Sequence, residues 1–149
     1  MKDIQSKKGE TEIDIDKVGV SDISFPIKVL QKNKKYQMYP ALINMYVNLP
    51  RQFKGTHMSR FIEILNETEN IFTINAMGTI LLAITNHLKA ESAHMELAFE
   101  YYIPKMAPVS KKESLMNYNC RFIGDYSEKG EEFMLEVTVP VTTLCPCSK

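Results

Sequence analysis

The chain has 149 residues, with eighteen basic and eighteen acidic side chains, 44% hydrophobic and 24% charged residues. That length suits one domain with a sizeable core, and the composition excludes disorder throughout. The charge balance supplies no global basic field for nucleic acid and no polybasic tail for a membrane surface, so an anionic substrate needs a local basic cluster.

Met1 to Lys8 lacks the apolar stretch of a signal peptide, and the apolar run around Ile80 to Ile84 is too short to cross a bilayer. Of the three cysteines, two are separated by a single proline, a poor disulfide framework that points to a reduced, cytoplasmic protein. Residues 1–20 are charged and sparse in large side chains. They read as an N-terminal arm or extended lead-in, anchored by Ile13, Ile15 and Val18.

From Phe25 the pattern tightens. Ile27 and Val29 predict a strand running into the turn Gln31-Lys32-Asn33-Lys34-Lys35, and a second strand follows over Tyr39 to Leu49, a hairpin that Pro50 closes. After the loop 51–56, Thr56 is expected to cap a helix starting near His57, with Met58, Phe61, Ile62 and Leu65 on its apolar face. A second helix is predicted over Phe72 to Leu88, striped by Ile74, Met77, Leu81, Thr85 and Leu88 and widened by Ile80 and Ile84. Gly78 offers it close packing.

Strands return at Ala93 to Ile103, where Met95, Leu97, Phe99 and Tyr101 alternate with His94, Glu96, Ala98 and Glu100. Pro104 and Pro108 bracket the expected connection to a strand over Leu115 to Tyr126. Ser127 to Gly130 is a hairpin turn, and a last strand takes in Phe133, Leu135, Val137 and Val139. Strands around a helical pair define an α+β domain, two antiparallel helices on one face of an antiparallel sheet.

Chemistry concentrates in two segments. Cys145 and Cys147 close the chain around Pro146, where a disulfide would be too tight. Three readings stay open: buried structural thiols, a metal site, or a nucleophile. The histidines are few. His87 reads as an interaction with the last carbonyls of its helix, His94 as a sheet-face residue, and His57, at a helix start, suits an anion as well as a metal. In the second segment Arg51, Lys54 and Arg60 flank Gly55-Thr56-His57. A glycine-bearing loop entering a helix among cations can bind phosphate, although the P-loop pattern is absent. The plainer alternative is a solvated basic turn with Arg60 paired to Glu63 or Glu67.

Together, Asp14 to Val20, Leu49 to Phe61 (with Gly-Thr-His-Met-Ser-Arg-Phe) and Thr142 to Lys149 (with Leu-Cys-Pro-Cys-Ser-Lys) resemble type IB GTP cyclohydrolase I over nearly the whole chain. The resemblance implies a tunnelling fold, with two such modules per subunit in a homotetramer around a central pore. Residues 21–149 would be the first module. The implied reaction converts GTP and water to 7,8-dihydroneopterin triphosphate and formate, the entry to folate-type pterins. It implies a divalent transition metal (zinc, manganese or iron), with Cys145 as catalytic metal ligand and Cys147 as its companion and a less favoured second ligand. His57, Arg60, Lys54 and Arg51 are the candidates for the substrate, chosen for its triphosphate.

In the family a catalytic histidine follows the cysteine by about a dozen residues, with key glutamates later still. With the chain closing at Lys149, it is expected to be an N-terminal portion, inactive alone. Two rivals stand beside this reading: a tunnelling-fold nitrile reductase that uses the cysteine as nucleophile, and a non-catalytic assembly module. Cys147 and the His57-to-Phe61 string favour the cyclohydrolase.

Overall fold

A computed structural model describes residues 15–32, 34–49, 56–141 and 143. Among the described residues, five strands and two helices follow in the order expected: β1 (Ile15–Leu30), β2 (Tyr36–Leu49), α1 (Met58–Glu67), α2 (Ile74–Leu88), β3 (Ser92–Met106), β4 (Glu113–Ser127) and β5 (Gly130–Thr138). The strands form one antiparallel sheet in sequence order, and both helices lie on one face of it. This is the α+β layering predicted from the pattern.

The core follows from strand periodicity. Tyr39, Ala41, Ile43, Met45 and Val47 of β2 and Ala93, Met95, Leu97 and Phe99 of β3 are buried on the helix-covered face. The register pairs them in step, Met45 with Met95 and Ile43 with Leu97. Phe61, Ile64 and Leu65 of α1 and Met77, Ile80, Leu81 and Ile84 of α2 close over them. The narrow contact strip of α1 leaves Met58 and Ile62 largely outside, at 39% and 38% exposure, so the predicted stripe is corrected to Phe61, Ile64 and Leu65. Gly78 provides the close packing expected of it: a Cβ there would lie 3.1 Å from a Glu131 carboxylate oxygen and 3.3 Å from the Phe133 ring.

Several boundaries move for local reasons. β1 begins ten residues before Phe25, and Val18 and Val20, read as lead-in, pack against the core. Gly19 makes this possible, since a Cβ there would fall 1.9 Å from the Met45 carbonyl oxygen. α2 starts at Ile74 because the Thr73 hydroxyl accepts the Ala76 N–H at 3.2 Å, a side-chain cap. Phe72 is left in front of the helix, buried edge-on against Phe25 at 6.4 Å. Pro104 does not open a connection. It lies inside β3, opposite Leu115, and the connection is 107–112. Beyond Phe99, β3 no longer pairs with β2, so Pro104 sits on a stretch with an open edge, where a residue without an N–H is tolerated.

Candidate functional site

The Thr56 to Arg60 stretch joins β2 to the helical layer. Thr56 is buried but is not the cap expected. His57, in extended conformation, occupies the cap position of α1, and its side chain makes no capping hydrogen bond. Arg60, one turn in, donates from Nη1 to the His87 carbonyl at 2.6 Å. That bond ties the first turn of α1 to the C-terminal carbonyls of α2, where a cation is favoured by the helix dipole. It replaces the pairing with Glu63 or Glu67, and it occupies one of the five N–H donors of a guanidinium. The His87 ring nitrogen Nδ1 sits 2.9 Å from the Ala83 carbonyl, so His87 serves its own helix end as the sequence reading held. Arg51 and Lys54 lie outside the described residues.

The opposite face, which no helix covers among the described residues, carries a polar network that the sequence did not reveal. His94 reaches Asp125 Oδ1 through Nδ1 at 2.7 Å and Glu96 Oε1 through Nε2 at 3.2 Å, and its ring stacks on Tyr46 with centroids 6.1 Å apart. Asn44 donates to Glu96 at 3.5 Å, and Arg121 binds Glu136 at 2.6 Å while approaching Glu96 at 3.8 Å. The His94 hydrogen bond holds the Glu96 carboxyl below its ordinary value, against the opposing effect of burial. Alternation in β3 placed His94 and Glu96 on one face. Only the cross-strand register brings Asn44, Asp125, Arg121 and Glu136 to them.

Among the cysteines, Cys120 is described. Its thiol lies 3.6 Å from the Tyr118 carbonyl, and burial pushes its pKa up. Cys145 and Cys147 lie outside the described residues. Among the described residues no group of three or more His, Cys, Asp or Glu is placed to hold a metal ion. A metal would therefore depend on donors elsewhere, for which paired thiolates are chemically apt.

β2 and β5 run in opposite directions along the sheet. β5 runs from the β4–β5 turn toward Thr138, paired with Asn119, and so carries the chain toward the end of the sheet formed by the β1–β2 and β3–β4 hairpin tips. β2 runs the other way, so Thr56, His57 and Arg60 lie at the opposite end, beside the start of β3.

A one-sided antiparallel sheet carrying a helical pair, with cysteines following its last strand, defines the class: a tunnelling-fold-like α+β module. Within that class the chain belongs to the type I GTP cyclohydrolase FolE2 family, whose model matches residues 1–149. Its curated relatives include proteins named GTP cyclohydrolase FolE2 from Syntrophus aciditrophicus, 54% identical over 149 residues, and from Syntrophobacter fumaroxidans, 52% identical over 150 residues. Another from Geobacter sulfurreducens is 52% identical over 149 residues. Each alignment covers all of this chain and 57% to 58% of the relative, so the chain spans less than two thirds of the length of these proteins.

Proposed function

We propose that the whole protein is a type IB GTP cyclohydrolase I, converting GTP and water to 7,8-dihydroneopterin triphosphate and formate at the head of folate-type pterin synthesis. The observation that carries this reading is the family match along every residue, together with the Gly-Thr-His-Met-Ser-Arg-Phe and Leu-Cys-Pro-Cys-Ser-Lys strings that it spans. The sheet agrees with it: β5 pairs with β4 from Gly130 to Thr138, and the cysteine segment follows it in sequence.

In this reading Cys145 is the catalytic cysteine and a ligand of a divalent transition metal, zinc, manganese or iron. Cys147 is its companion. A metal held there would supply Lewis-acid activation of the water that attacks the guanine ring. The remaining ligands and the proton-transfer histidine come from beyond residue 149, and the portion 1–149 alone is inactive. His57, Arg60, Lys54 and Arg51 are assigned to substrate binding, with Arg60 also pinning α1 to α2. The protein works in the cytoplasm as a homotetramer of two-module subunits, this chain forming the first module after a short N-terminal arm, without nucleic acid or membrane partners. Among the described residues no helix is long and apolar enough to cross a membrane.

The test is formate release from GTP by the whole protein supplied with zinc, manganese or ferrous iron. Stoichiometric formate and a pterin triphosphate are expected. NADPH-dependent reduction of a nitrile without formate release would move the assignment to the reductase.

A further inference from the structure

The open face of the sheet holds a concavity that the cyclohydrolase reading does not use. It lies where β2 ends and β3 begins, has a volume of about 220 Å³, and is lined by Tyr46 and His94 among others. The register lays its floor as a row across the sheet: Gly19 faces Tyr46, Tyr46 faces His94, and His94 faces Asp125. β1 carries one extra residue between Ile15 and Val18, and from this bulge Lys17 places its Nζ 5.8 Å from the centre of the Tyr46 ring.

Its parts are sorted by chemistry. Tyr46 and His94 stack at 25° with centroids 6.1 Å apart, an aromatic floor on the uncovered side of the sheet. His94 is held at both nitrogens, by Asp125 Oδ1 at 2.7 Å and Glu96 Oε1 at 3.2 Å. Asn48 Oδ1 accepts the N–H groups of Glu91 and Ser92, each at 2.9 Å, which fixes the back wall. The flanks carry opposite charge, Lys17 on the β1 side and Asp125 on the β4 side, with the ring pair between them. Both are exposed, and Asp125 has a second carboxylate oxygen besides the one on His94. A fixed aromatic floor with a few convergent polar groups suits a small flat ligand. A bare anion or cation would use one flank and leave the rings idle, whereas a flat base with an amino group and an anionic tail uses all three parts.

We propose that this concavity binds a purine nucleoside monophosphate, a site that does not rest on the function proposed above. The base takes the face of Tyr46 that Lys17 now covers, and its N–H groups donate to the second Asp125 oxygen. Lys17, on a flexible stem, swings from the ring to the phosphate. The volume of about 220 Å³ admits one bicyclic base and leaves ribose and phosphate outside, on the Lys17 side.

The experiment uses the whole protein and calorimetry with adenosine monophosphate, which the proposed reaction does not consume, and with adenosine alongside. Saturable binding of the monophosphate to the wild-type protein is expected. Tyr46→Leu should weaken it about tenfold, and Asp125→Ala about fivefold. Lys17→Gln should weaken the monophosphate about threefold at low ionic strength and leave adenosine unchanged, a difference that closes in about 0.5 M salt. Lys17 and Asp125 are exposed, so these two variants test the site even if Tyr46→Leu fails to fold. Cys145→Ala should bind as the wild type does. Absence of saturable binding overturns the proposal, as does wild-type affinity in both Asp125→Ala and Lys17→Gln. Loss of binding in Cys145→Ala also overturns it, by placing the nucleotide at the catalytic cysteine. Failure of the cyclohydrolase reading shows separately, as no formate release from GTP while adenosine monophosphate binding persists.

Discussion

The two faces of the sheet are built on different physics. One is sealed by α1 and α2 over a row of fully buried side chains, among them Ile43, Met45, Met95 and Leu97. The other has no covering layer among the described residues and is held by side-chain pairs in partial contact with water, His94, Glu96, Arg121 and Glu136. Burial of apolar area is cumulative and hard to replace, whereas exposed ion pairs contribute little each. The covered face therefore fixes the fold, and the open face is free to vary its chemistry.

Truncation on the covered face should produce the largest losses. Leu97→Ala or Phe61→Ala is expected to cost about 2–5 kcal/mol in denaturant unfolding, since both sites are fully buried. Gly19→Ala should come next, at about 1–3 kcal/mol, because its methyl group meets β2 backbone that cannot step aside. If Arg121→Gln on the open face cost as much as either, the contrast between the faces would fail; a much smaller loss, screened by solvent, is expected in the same measurement.

Glu96→Gln sharpens the comparison through pH. The folded-state pKa of Glu96 lies below its ordinary value of 4.5, so its contribution is complete above that value and is lost as pH falls through the folded one. The stability gap between wild type and Glu96→Gln should hold above pH 4.5 and narrow below it. A gap independent of pH would detach Glu96 from His94. The smallest effect concerns Lys89, which ends α2 in the left-handed region at φ 54°. Lys89→Gly should stabilise by about 0.5 kcal/mol, read as a small rise in Tm.

Periodicity made the element order and the buried side of β3 legible, because alternation and helical stripes are local properties of sequence. What depends on partners was not legible. Pro104 inside β3 required knowing that β2 leaves β3 after Phe99. The cap at His57, in place of Thr56, and the Arg60 bond to His87 required knowing where α2 ends. The network around His94 follows from register, which no single segment encodes. For the candidate site, the motif strings pointed to the family. Cys145, Cys147, Arg51 and Lys54 lie outside the described residues, and their roles rest on sequence.

The three cysteines offer the most direct test. Cys120 is half-buried with its thiol pushed toward the protonated form, whereas Cys145 is proposed as metal ligand and catalytic residue. In the whole protein, metal content and GTP-dependent formate release should be measured together for Cys145→Ala and Cys120→Ala. The account predicts that Cys145→Ala loses both the site metal and formate release while Cys120→Ala keeps both. Full metal content and activity in Cys145→Ala would contradict it.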